Sequence, residues 1–190
     1  MSKSKASDEV HAAPVKLPHR RVPNRKSIPT RLALSLRCGA LSLRTAYLRH
    51  VLGMNIHPDT QISLKARLDR TNPRGIHIDE GTLVAFGAVI LTHDLSRVLH
   101  TDTYIGRNCF IGAHSIILPG IRVGDNCIVA TGSVVTKDIA PNTVVAGNPA
   151  RAIRTGIRTR KWGVLEEAHR EAFELQTASD AAEVAEKRQR

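Results

Sequence analysis

Nine histidines are spread through the 190 residues, and His93 is followed at once by a carboxylate, Asp94, with His100 a little further on. An imidazole exchanges its proton near neutral pH, so a histidine with a carboxylate at hand can take a proton from one atom and return it to another. Taken alone, however, a loop histidine is most simply a solvated surface residue. A second imidazole, His114, stands in the segment FIGAHS, at a position that faces away from any core. The three cysteines (Cys38, Cys109, Cys127) are odd in number and form no Cys-x-x-Cys. They spell neither a disulfide framework nor a zinc knuckle.

A six-residue period positions these groups. Ile105, Ile111, Ile117, Val123, Val129 and Val135 recur at an unbroken spacing of six, and Ile78, Val84 and Ile90 repeat it upstream. A fainter trio, Ile56, Ile62 and Leu68, fits a first coil. Two places before most of these sits a smaller side chain: Thr82, Ala88, Cys109, Ser115, Cys127 or Ser133, with Ile76 and Ile121 as bulkier exceptions. The period suits neither a helix nor an alternating strand. It suits short strands joined by tight turns, three to a coil, with coils stacked into a solenoid. Cys109 and Cys127 then fill the small inward slot, where a thiol packs as a small hydrophobe.

The frame slips twice, between Leu68 and Ile78 and between Ile90 and Ile105. Residues 69–76 and 91–104 must therefore leave the coil as loops, and insertions in solenoids often carry function. The second loop holds His93, Asp94 and His100.

The formal net charge is +11, and more than half of it belongs to residues 1–31, rich in Lys, Pro and Ser. Such a segment buries too little to fold alone, so residues 1–30 are expected to be a disordered basic arm. Residues 31–53 read as an amphipathic helix with an apolar stripe of Leu36, Ala40, Leu43, Tyr47 and Val51. It is expected to cap the open first coil; a basic helix at a membrane surface is the other meaning of the pattern. Residues 155–190 are expected to be a helical tail, most clearly over 164–188. No apolar signal segment and no spanning run is visible, which points to a soluble cytoplasmic protein. Aromatics are only 3%, so the core must be aliphatic.

The stretch Ile105–Arg154, IGRNCFIGAHSIILPGIRVGDNCIVATGSVVTKDIAPNTVVAGNPARAIR, resembles the hexapeptide-repeat acetyltransferases, which act on galactosides, maltose, nodulation factors, polysaccharides and xenobiotics. The ending GSVVTKDIAPNTVVAGNPAR is more specific than the repeat, and the likeness covers residues 54–154. The resemblance implies a mainly β fold, a left-handed parallel β-helix, assembled as a homotrimer with active sites between neighbouring subunits. It implies transfer of an acetyl group from acetyl-CoA to a hydroxyl, with a sugar or polysaccharide precursor as the favoured acceptor. The catalytic role passes to His93, with Asp94 as the neighbour that would orient it. His114 is the main competitor, placed outward to contact acceptor or CoA, or simply exposed. The CoA-contacting positions fall on Ala113, Thr131, Thr136, Lys137 and Arg154, with Arg151 nearby as a further cation for the phosphates. The segment SLKARLDRTNPRG does not match the acceptor-binding asparagine of the galactoside and maltose enzymes, which leaves the acceptor open.

Two other functions suit the same repeat. A γ-type carbonic anhydrase needs three histidines on zinc, with a His-x4-His pair that His77, His93, His100 and His114 do not form. No metal is therefore expected. A non-catalytic scaffold, or a nucleic-acid binder using the basic arm, would bind polyanions in a salt-sensitive way; no nucleic-acid partner is expected.

Overall fold

The computed structural model describes the backbone of residues 28–188 and the side chains of residues 39–177. The basic arm expected over 1–30 therefore lies outside the described residues up to residue 27. The chain is mainly β with two helices. Helix α1 (Ile28–His50) leads into β1 (Asn55–Ile56), β2 (Gln61–Ile62), β3 (Arg67–Leu68), β4 (Ile76–Ile78), β5 (Leu83–Val84) and β6 (Val89–Ile90). A small hairpin follows, β7 (His93–Asp94) and β8 (Leu99–His100). Then come β9 (Thr103–Ile105), β10 (Phe110–Ile111), β11 (Ile116–Ile117), β12 (Arg122–Val123), β13 (Ile128–Val129) and β14 (Val134–Val135). The chain closes with β15 (Thr143–Gly147), β16 (Ala150–Thr155), β17 (Thr159–Arg160), β18 (Val164–Leu165) and helix α2 (Glu166–Arg188).

The strands join three sheets in rotation. β1, β4, β9 and β12 form the first; β2, β5, β10, β13 and β15, with β16 at its edge, the second; β3, β6, β11 and β14 the third. Pairing within each is parallel except for the β15–β16 hairpin. Tyr104 pairs with Arg122, Phe110 with Ile128 and Ile116 with Val134, a constant offset of 18 residues. Between the first and second sets of strands the offset is 22, and between the second and third it is 27. The excess of four and of nine is absorbed where the hexad frame slips.

The core follows the repeat. Every large residue of the period is buried, and so are Thr82, Ala88, Thr103, Cys109, Ser115, Cys127 and Ser133 beside them. Three places before an inward residue the backbone enters the left-handed region: Gly81, Gly87, Asn108, His114, Gly120, Asn126, Gly132 and Asn142 all have positive φ. These residues make the corners. At Gly112 the demand is different: a Cβ would stand 2.5 Å from the Val129 carbonyl oxygen and 2.7 Å from the Thr131 nitrogen, so only hydrogen fits.

Two expectations about the flanks need correction. Helix α1 packs on β1 and β2, but through Thr45, Leu48 and the half-buried Leu41 and Leu52. Arg44 donates to the carbonyls of Ser63 and Ala66, fixing the helix in that rotation. Of the stripe assigned to the core, Ala40, Leu43, Tyr47 and Val51 face outward, and Leu36 lies outside the described side chains. The helix carries apolar residues on two faces, and the hydrogen bonds of Arg44 favour one of them.

The second correction concerns residues 155–165, which are not α-helical and hold only a single kinked 3-10 turn at Lys161–Gly163. They run back along the corners between the first and second sheets as a strap. Ile157 N–H donates to the Asn142 carbonyl at 3.1 Å, and the Thr159 hydroxyl to the Asn108 carbonyl at 2.7 Å. Trp162 N–H reaches the Gly81 carbonyl, and Lys161 pairs with Asp59. The strap thus touches corners belonging to successive layers, from Asn142 to Asp59, with Ile157 and Thr159 buried against them. The helix begins only at Glu166.

Candidate active site

His93 stands at the corner that follows the third sheet, where β6 would otherwise lead straight into β9. The backbone on either side is pinned. The Thr103 hydroxyl donates to the Leu91 carbonyl at 2.6 Å, the Thr92 hydroxyl to the Asn72 carbonyl at 2.7 Å, and Thr101 N–H to the Thr92 carbonyl at 2.9 Å. From this base the β7–β8 hairpin projects, bringing His93 opposite His100 with ring centroids 6.3 Å apart. The hairpin tip leaves Leu95 and Val98 exposed, and Val98 holds a φ of 49°, a strained choice for a β-branched residue.

The carboxylate on His93 is Asp69. Its Oδ2 accepts a hydrogen bond from His93 Nδ1, together with those from the backbone N–H groups of Thr92 at 2.9 Å and His93 at 3.0 Å. Its other oxygen receives Thr71 N–H at 2.9 Å. Burial alone would raise this carboxyl's pKa, but the bonds from Thr92, His93 and Thr71 outweigh it and hold the pKa at about 2. Asp69 is therefore an acceptor-only carboxylate at neutral pH, and the hydrogen between it and His93 must sit on Nδ1. A neutral ring then carries its lone pair on Nε2. The imidazole is half-buried, so that lone pair can be met by an incoming group.

Asp94, the carboxylate adjacent in sequence, is engaged elsewhere. It receives Ser96 N–H at 2.9 Å, the Ser96 hydroxyl at 2.6 Å and Arg97 Nε at 2.6 Å, closing the hairpin turn. The hydrogen bonds from Ser96 and Arg97 hold its pKa near 2. Asp69 escaped the sequence because it lies 24 residues from its partner. The signal that could have found it was the first frame slip, since Asp69 is the first residue after Leu68.

The remaining candidates divide between two corners. Thr136 and Lys137 share the corner of His93 at the far end of the third sheet, both exposed. Ala113, His114 and Thr131 occupy the opposite corner, between the second and third sheets, where Gly132 N–H donates to the Ala113 carbonyl at 2.9 Å. His114 takes the left-handed corner position (φ 56°) held elsewhere by Gly or Asn, and its ring stands edge-on to Phe86 at 5.2 Å. Lys137 and Arg151 line one groove of about 480 Å³ at the end of the stack, with Thr143, Val145, Ala150 and Thr155. Arg154 lies in β16 and gives its guanidinium to Glu167 of α2, at 2.6 and 2.9 Å to the two carboxylate oxygens. The structure therefore brings Lys137 and Arg151 together, and leaves Arg154 already paired.

Among the described residues, no group of three or more His, Cys, Asp and Glu converges as a metal site. Cys109 and Cys127 are buried, with thiols donating to the carbonyls of Gly124 at 3.2 Å and Ala140 at 3.1 Å. No described helix is long and apolar enough to cross a membrane.

Comparison with known proteins agrees with the period. Residues 103–137 match the model for the hexapeptide repeat of succinyl-transferase. The galactoside O-acetyltransferase of Escherichia coli K12 is 56% identical over 111 residues, covering 54% of this chain and 55% of that protein. The chain is a relative of the hexapeptide-repeat acetyltransferases. A chloramphenicol acetyltransferase of Agrobacterium fabrum is 38% identical over 90 residues, 43% of each chain. Among solved structures, a maltose O-acetyltransferase from Clostridium difficile 630 aligns with a TM-score of 0.49 at 28% identity, over 65% of this chain and 88% of that one. This hexapeptide-repeat chain spans about half the length of the two curated relatives described.

Proposed function

We propose that the chain is an acetyl-CoA-dependent O-acetyltransferase, folded as a left-handed parallel β-helix, with His93 as general base. The observation that carries this is the Asp69–His93 pair. It fixes the tautomer, so Nε2 takes the proton of an acceptor hydroxyl as that oxygen attacks the thioester carbon. When the tetrahedral intermediate collapses the C–S bond breaks, and the proton on Nε2 passes to the departing thiolate. Asp69 stays ionised throughout and stabilises the transient imidazolium, the part played by the carboxylate of a catalytic triad. Lys137 and Arg151 offer two cations in one groove to the phosphates of CoA.

His93 and the donor positions Ala113 and Thr131 sit at opposite ends of the third sheet. A cyclic homotrimer, in which the His93 corner of one subunit faces the Ala113 corner of the next, would unite them. The identity to the galactoside enzyme supports a sugar or polysaccharide hydroxyl as acceptor. The exposed Leu95 and Val98 beside His93, with the chloramphenicol relative, favour a second reading, a hydroxyl on a small molecule with an apolar body.

Calorimetric titration with acetyl-CoA, run on the parent and on His93→Ala, tests the reading. Saturable binding near one equivalent per chain is expected in both, with turnover on a sugar panel lowered at least roughly a hundredfold in the variant. Absence of binding would return the chain to a non-catalytic scaffold. Equal turnover in variant and parent would remove His93 from the chemistry.

A further inference from the structure

The outward face of α1 is unexplained by the transferase reading. Leu43 is 74% exposed, Val51 67% and Tyr47 42%, and the three fall at successive i,i+4 positions on one line. The helix is not free to roll them inward, because Leu48, Thr45 and the carbonyl bonds of Arg44 hold its other face to β1 and β2. A second, independent feature coincides with it. From Val10 to Pro58 there is no Asp or Glu at all, while nine Lys and Arg occur. The first acid after Glu9 is Asp59. An acid-free basic run that ends in a fixed, exposed apolar stripe combines two attractions, one electrostatic and one hydrophobic.

We propose that the outward face of α1 is a docking surface for an anionic phospholipid membrane, independent of the catalytic assignment. Leu43, Tyr47 and Val51 enter the acyl boundary while the cations meet headgroup phosphates; a tyrosine suits that depth because its ring is apolar and its hydroxyl wet. Polybasic segments gather near anionic leaflets, and the apolar stripe holds the protein there after the charges have attracted it. A nucleic acid would satisfy the cations but has no use for the stripe, which decides between the two partners.

The test is sedimentation of the full chain with vesicles of phosphatidylcholine alone, and of phosphatidylcholine with about 30% phosphatidylglycerol. Binding to the anionic vesicles only is expected, weakened at high salt as exposed charges are screened. Leu43→Lys/Val51→Lys separates the contributions, since it adds positive charge while removing the stripe. Docking through the stripe predicts at least a roughly tenfold loss of binding in this variant. Both positions are exposed, and an unchanged melting curve and unchanged acetyl-CoA titration check that the fold survives. Equal or tighter binding of the variant would overturn the proposal in favour of a simple polyanion arm. So would a change of oligomeric state in light scattering, which would make the stripe a contact between copies. Failure to bind anionic vesicles at all would overturn it outright.

Discussion

On the proposed reading, the chemistry turns on the hydrogen bond between Asp69 and His93. Asp69 is an ordinary carboxylate in composition, made unusual by three backbone N–H groups and one imidazole converging on two oxygens. Asp69→Asn keeps the shape but offers an amide that can donate, which favours the tautomer with its hydrogen on Nε2. Turnover should fall by roughly a hundredfold or more while the KM for acetyl-CoA hardly moves; a loss confined to KM would show that Asp69 shapes the donor site instead. The same carboxylate links stability to acid. Its folded pKa lies near 2, below the unfolded value of about 4. The stability it contributes is therefore complete above pH about 4 and is lost as the pH falls towards 2. Melting curves across that window should show a steep decline in the parent and a shallower one in Asp69→Asn. For the donor groove, Lys137→Ala should raise the KM for acetyl-CoA with little change in kcat, because its charge would serve binding and not the reacting atoms.

At the scale of elements, the hexad declares almost everything about the strands. The inward residues up to Val135 were readable because large aliphatic side chains recur at six, and even the two insertions could be sized, since gaps of ten and fifteen exceed six by the four and nine residues that the registers absorb; Ile139 and Val145, buried in the last layer at an offset of 16, fell outside that frame. The candidate site was legible only in half. His93 stands out by its place in the second insertion, but its partner Asp69 belongs to the first, and no periodicity reports that two loops from neighbouring layers stack. Asp94 attracted the assignment by adjacency, whereas a side chain two places before Ser96 in a tight turn naturally accepts from the turn's own N–H groups. The rotation of α1 was hidden for another reason: Leu41, Thr45, Leu48 and Leu52 make as good a stripe as the one that faces out. Glycine placement yields a sharper expectation. Gly112→Ala should destabilise the protein by roughly 1–3 kcal/mol, because its methyl would meet backbone atoms that cannot turn aside. A denaturation midpoint equal to the parent's would show that the layers can part there at little cost.

For the molecule as a whole, the decisive arrangement is that each layer touches only its neighbours, while one segment disregards that rule. Ile157→Ala should lower stability by about 2–4 kcal/mol, a core-sized effect from a residue outside the repeat, and urea titration would measure it. If the loss stayed under about 0.5 kcal/mol, as for a surface change, the strap would be ornamental. A stack of nearest-neighbour layers ordinarily melts as a zipper, fraying from whichever end is weaker and proceeding one step at a time. Here the residues from Ile157 to Lys161 join the last layer to the first like a basting thread. Either end, in peeling, must also tear the stitch that ties it to the strap, so opening is shifted from a sequence of small local escapes towards one concerted event. Amide protons at both ends should then exchange on the same slow timescale as those in the middle, and a chain built on the most linear of plans would behave, to heat or to a protease, as a closed ring.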